Sequence, residues 1–141
     1  MPPSPDISEI AESLLSVMRL LRKRVDAAMA KQGLSLARGA LLCAVQQGGQ
    51  CRPGELAVQL GLSPRSITDA LDAMEQDGLV TRQRHPTDRR AQLVSLTAKG
   101  EAALHQAEVP RLLAIEQLLS GLDDNQRGQL LAALRVINRQ G

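Results

Sequence analysis

The chain contains no Phe, Tyr or Trp. Any core must therefore come from Leu, Val, Ile, Ala and Met, side chains that suit helix packed on helix. With only two Cys and two His, little is available to assemble a metal centre or a nucleophile with its base. No His-Glu-x-x-His, Gly-x-Ser-x-Gly or glycine-rich phosphate loop occurs, so neither an enzyme nor a cofactor or metal is expected. No apolar run reaches the ~18 residues that mark a membrane span. The leading Met-Pro-Pro-Ser-Pro-Asp lacks the basic and apolar parts of a signal peptide. A cytoplasmic chain with Cys43 and Cys51 reduced is the expectation. Net charge is only +2, so no global bias toward an anionic partner exists.

The charge is concentrated locally. Arg82, Arg84, Arg89 and Arg90 fall within nine residues, against the single acid Asp88. The segment from His85 to Arg90 separates two strand-like runs, Leu79-Val-Thr-Arg-Gln-Arg84 and Gln92-Leu-Val-Ser-Leu96. Thr97 then caps a new helix, with Gly100 and Glu101 in its first turn. A hairpin tipped with Asp88, Arg89 and Arg90 has little use as core and suits an arm that reaches a polyanion.

Two short helices precede the hairpin. Pro53 to Leu60 has Pro at the first helical position, Glu55 in the first turn and Gly61 just past the end. Ser63 is a good N-cap for a second helix, and Pro64 again fits its first position. Ile67, Ala70, Leu71 and Met74 form an apolar stripe of helical period. Gly78 is the expected terminator, with Leu79 as the apolar contact beyond it. Two helices joined by a glycine-containing turn and followed by a hairpin predict a winged helix-turn-helix. In that geometry the second helix enters the major groove of DNA.

Gly54 to Val80 resembles the DNA-binding core of MarR-type transcriptional regulators. The same holds for the hairpin, with Asp88-Arg-Arg90 followed by Leu96-Thr97 and Gly100. The resemblance covers nearly the whole chain and implies a mainly α fold with a small β-hairpin, flanked by N- and C-terminal dimerisation helices. The expected divisions are 1–32 for the first dimerisation helix, 33–98 for the winged lobe and 99–141 for the last helices.

The flanking segments fit that outline. Ile7, Ile10, Leu14, Val17, Leu21 and Val25 repeat at three and four residues on a helix from about Asp6 to Lys31. Gly33 ends it, and Ser35 can cap the next helix, which Gly48-Gly49 breaks. Gln50 to Arg52 can add a brief strand beside the hairpin. Thr97 to about Leu119 is a long helix with Pro110 inside, expected to kink it or remove a hydrogen bond. Asp123 caps the last helix, with Gln126 as its capping-box partner. Helices apolar on more than one side are expected to pair in a two-fold homodimer, which sets two recognition helices about one DNA turn apart.

On the second short helix Ser63, Arg65, Ser66, Thr68 and Asp69 occupy the end that reaches bases. Arg65 is the strongest base reader, because a guanidinium can bond guanine O6 and N7 together. Asp69 either accepts from cytosine N4 or pairs with Arg65 four residues earlier. In the hairpin the resemblance makes Arg90 the minor-groove arginine and Asp88 the acid that orients it. Arg84 and Arg89 are expected on phosphates, with Arg38 and Arg52 as further backbone contacts. His85 is expected at DNA or solvent.

The resemblance also implies a small-molecule effector, an aromatic acid being one candidate, in a crevice between dimer helices and DNA-binding lobe. Met18, Arg22, Leu41 and Val45 are the expected lining residues, with Arg22 placed to meet an anion. The expected partners are thus a palindromic operator in double-stranded DNA, a second copy of the chain and that effector, and the expected activity is repression. Two other readings remain. One is a thiol redox-sensing regulator using Cys51, with Cys43 read as core and Cys51 as exposed. The other is a winged-helix module that binds protein instead of DNA.

Overall fold

The computed structural model describes residues 3–141. Helix α1 spans Ile7–Met29, capped by Asp6, whose carboxylate accepts from the Ser8 amide. A short 3-10 turn, Ala30–Gln32, follows, and Gly33 closes it in the left-handed region at φ 71°. Helix α2, Leu36–Gly48, starts at Ser35, whose hydroxyl accepts from the Arg38 amide. Helices α3, Pro53–Leu60, and α4, Pro64–Gln76, are joined through Gly61. Strands β1, Val80–Arg84, and β2, Gln92–Leu96, pair antiparallel with Val80 opposite Leu96 and Arg84 opposite Gln92. Helices α5, Ala98–Leu118, and α6, Asp124–Asn138, complete the order.

The expected caps are in place. The Thr97 hydroxyl accepts from the Gly100 amide. Asp123 and Gln126 form a reciprocal capping box, each side chain bonded to the other's backbone amide. Pro110 lies inside α5, and the helix is assigned unbroken through it. The strand expected at Gln50 to Arg52 is reduced to one bridge, in which Cys51 exchanges amide bonds with Val94 at 3.0 and 2.7 Å.

One core runs through the winged lobe. Val25, Met29, Leu42, Val45, Leu56, Leu71, Met74, Val80 and Val94 are its largest fully buried side chains. Each such side chain stabilises the fold by about 1.5–3 kcal/mol on leaving water. The N-terminal half of α1 and much of α6 stay outside this core. Ile7, Leu14, Met18, Leu131 and Ile137 are exposed.

The cysteines reverse their expected places. Cys43 is exposed and Cys51 is buried. Helix α2 is apolar almost all round, so its pattern does not define which side faces in. Its phase is set by Leu41, Leu42 and Val45, which point to the core. Cys51 is drawn inward by its bridge to Val94, and its Sγ lies 3.8 Å from the Ala44 carbonyl oxygen. A Cβ at Gly48 would collide with that sulfur, so glycine there makes room for the thiol.

At the base of the hairpin, Gly78 adopts φ 77°, and the Leu79 amide bonds the Met74 carbonyl. Thr97 donates its hydroxyl to the Gly78 carbonyl, and Lys99 Nζ donates to the Asp77 carbonyl at 2.7 Å. These bonds tie the end of α4 to the start of α5. Gly100 completes the joint, because a Cβ there would strike the Leu79 carbonyl oxygen.

Candidate nucleic-acid interface

Helix α4 turns Ile67, Leu71 and Met74 into the core. Its opposite face carries Arg65 and Asp69, whose side chains are 93% and 72% exposed. Arg65 Nε and Asp69 Oδ2 are 4.0 Å apart, a loose pair that leaves both groups able to meet a ligand. The Ser63 hydroxyl caps the helix by accepting from the Ser66 amide and donates to the Ser66 hydroxyl at 2.9 Å. Thr68 donates to the Pro64 carbonyl at 2.8 Å. Both serines and Thr68 are thus held locally and remain exposed.

The hairpin tip is built around two side chains. His85 Nδ1 accepts from the amides of Thr87 and Asp88 at 3.2 and 3.1 Å. Asp88 Oδ1 accepts from the Arg90 amide at 3.1 Å. The acid expected to orient Arg90 therefore holds its backbone, not its guanidinium. The other Asp88 oxygen faces Arg52 Nη1 at 3.7 Å, which leans the tip against the start of α3. Arg84, Arg89 and Arg90 are exposed and form no ion pair among the described residues. An open cleft of about 690 Å³ lies between the α3 N-terminus and the tip, lined by Arg52, Arg84, Arg89 and Arg90 against Glu55 and Asp88. Such a surface favours an anion, and a slender arginine-bearing tip suits a narrow minor groove.

Arg38, expected at the DNA backbone, is engaged within the protein. Its Nη1 bonds Asp77 Oδ2 at 2.7 Å and the Gly33 carbonyl at 3.2 Å. Arg52 remains beside the tip, shared between Glu55 and Asp88. Sequence reasoning counted Arg82 only as local charge. Arg82 in fact bonds Asp72 and Glu75 of α4, and the guanidinium hydrogen bond holds the Glu75 carboxyl below its usual value. The available signal was the strand alternation, which puts Arg82 on the face of Val80.

The expected effector residues are scattered. Leu41 and Val45 are buried, and Met18 and Arg22 are exposed on α1. A cavity of about 380 Å³ instead opens on the other face of α2, where Leu36, Ala40, Cys43 and Gln46 meet Leu104, His105, Glu108 and Arg111 of α5. None of the four expected residues lines it. For Leu41 and Val45 the reason is the phase of α2, which turns both to the core.

Comparison with known proteins shows what the chain is similar to. Residues 34–91 match the MarR family model. A mutant MarR from E. coli, solved in complex with operator DNA, superposes with a TM-score of 0.84 at 22% identity, over 95% of this chain and 99% of that one. Over residues 34–91 the chain is similar to the MarR family. Among its relatives in Bacillus subtilis (strain 168), the uncharacterized HTH-type transcriptional regulator YwhA is 28% identical over 79% of this chain and 81% of its own length. The HTH-type transcriptional repressor YetL is 26% identical over 89% of this chain and 77% of its own. The MarR match runs from Leu34 to Ala91. It takes in α2, both helices of the helix-turn-helix and the hairpin tip.

Proposed function

We propose that this MarR-type chain is a homodimeric, sequence-specific repressor that binds a palindromic operator in double-stranded DNA. The observation that carries the reading is the common placement of exposed cations. Arg65 stands exposed at the start of α4, and Arg84, Arg89 and Arg90 are exposed on the wing beside it. Arg65, with Ser63, Ser66, Thr68 and Asp69, reads base edges. Arg90 enters the minor groove, and Arg84, Arg89 and Arg52 neutralise phosphates. The repressor named YetL supports the direction of regulation. The exposed apolar faces of α1 and α6 are the surfaces a second copy covers, so that 1–32 and 99–141 form the dimer and 33–98 the reading lobe.

The cavity between α2 and α5 is the place for an effector, an aryl acid or similar anion held by Arg111 or His105. A ligand releases DNA only if it binds the two lobe spacings unequally. Cys51 does not suit a redox trigger, because burial pushes its thiol above the ordinary value and keeps oxidants away.

The test is selection of a duplex from a random-sequence library by the full chain, followed by binding at rising salt. A two-fold symmetric site and a log–log slope of several negative units are expected. Recovery of no sequence, or binding indifferent to salt, rejects the reading. Aryl acids added to the bound complex then test the effector, whose absence leaves affinity unchanged throughout the panel.

A further inference from the structure

We propose that Arg82 is a positioning residue that locks the wing to the recognition helix, so that the two elements read DNA as one rigid head. The proposal rests on the DNA-binding reading above. Arg82 Nη2 reaches Asp72 Oδ1 at 2.6 Å and Glu75 Oε1 at 3.2 Å. Its Nε reaches Glu75 Oε2 at 3.3 Å, and the same oxygen accepts from the Arg82 backbone amide at 3.1 Å. One side chain on β1 is thus bonded to two carboxylates one turn apart on α4, and Glu75 grips the β1 backbone as well.

The strand register explains why Arg82 points this way. It stands opposite Val94, two residues beyond Val80, and both valines are buried. Successive side chains alternate between faces of a strand, so Arg82 shares the inward face, at its solvent edge. Its side chain is 20% exposed, against 93% for Arg65. Of the wing arginines it is the one not free to meet phosphate.

A guanidinium fork bonded at several points fixes direction as well as distance, which an ammonium cannot do. Exposed ion pairs add little to folding stability. The effect of this one is geometric. A binding constellation loses function when its supports let it drift by about 0.5 Å or 10–20°, and the other ties between wing and α4 are the turn at Asp77–Gly78 and the non-directional packing of Val80 and Val94 in the core shared with Leu71 and Met74. The clamp also neutralises Asp72 and Glu75, two acids on the helix that approaches a polyanion.

The test uses the full chain and a duplex that wild type recovers from a random-sequence library. Arg82→Gln is expected to bind roughly tenfold more weakly. Its major-groove protection should persist, its protection of the flanking minor groove should be lost, and its salt slope should be unchanged. Arg82→Lys should restore part of the minor-groove protection. The double variant Asp72→Asn/Glu75→Gln supplies the decisive sign. Removing two acids beside DNA should tighten binding by simple electrostatics, whereas loss of the clamp weakens it and reproduces the Arg82→Gln footprint. Tighter binding by the double variant overturns the proposal. So does a salt slope reduced by about one unit in Arg82→Gln, the mark of a lost phosphate contact. If wild type recovers no sequence, the DNA-binding reading fails first; if wild type binds and Arg82→Gln matches it, the clamp alone fails.

Discussion

Arg65 and Arg90 are both exposed cations, and the proposed DNA complex gives them different work. Arg65 lies on a rigid helix beside Asp69, so its loss should relax base preference at one position per half-site, at a cost of about 1–3 kcal/mol. Arg90 sits at a tip held by Asp88, so Arg90→Ala should weaken binding across sequences while leaving the melting midpoint near wild type. Binding curves on a panel of single-base variants separate the two patterns. A uniform loss for Arg65→Ala would exchange the roles. The cysteines offer a second check at this scale. In the native protein one thiol, Cys43, should react with Ellman's reagent, and both should react after denaturation. Fast reaction of Cys51 in the folded chain would contradict its burial between α2 and β2.

At the scale of elements, helix ends were legible in the sequence because caps are local. Ser35, Ser63, Thr97 and Asp123 each bond an amide three residues on, and no distant partner is needed to recognise them. The hairpin was legible for the same reason. Helix phase on α2 was not, since a helix with apolar side chains on almost all faces carries no periodic signal, and that ambiguity misplaced Cys43, while Cys51 is drawn inward by a bridge to Val94 that no local pattern announces. The core-facing side of α4 could be read from its stripe of Ile67, Leu71 and Met74. The Arg82 clamp could not, because Asp72 and Glu75 become its partners only once β1 folds back on α4.

Two predictions belong to these joints. Gly100→Ala sets a methyl against the Leu79 carbonyl. It should cost about 1–3 kcal/mol of stability, read as a lower urea midpoint; an unchanged midpoint would show that α5 and the β1 turn are not in contact. The second follows from Glu75, whose carboxyl is lowered chiefly by the Arg82 hydrogen bond. A depressed carboxylate contributes stability that is present above its unfolded value and is lost as pH falls through its folded value. The gap in urea midpoint between wild type and Glu75→Gln should therefore hold at neutral pH and close below the usual glutamate range. A gap that stays constant to strong acid would show that ionised Glu75 does not hold the clamp.

At the scale of the molecule, the distribution of apolar surface is the informative fact. The winged lobe buries most of its large apolar side chains, Val58 and Leu62 excepted, while Ile7, Leu14, Leu15, Val17 and Met18 on α1 and Leu131, Leu134, Val136 and Ile137 on α6 remain exposed in the single chain. Two helices with such faces at opposite ends of the sequence are best covered by their copies across a two-fold axis, since a self-complementary patch closes on itself. Each lobe alone presents one recognition helix and one wing. In the proposed dimer two lobes at fixed spacing read two half-sites, and the affinity of the pair depends on the surface that sets the spacing. Removing the chain from Asp123 onward takes away α6 without touching any side chain of the lobe core. The shortened protein should sediment as a folded monomer, retain the helical signal of its remaining elements, and lose tight binding to the full palindrome while keeping weak, salt-sensitive binding to DNA. A truncated monomer that still holds the full site as tightly as the intact chain would mean that one lobe suffices, and the two-fold reading would have to be abandoned.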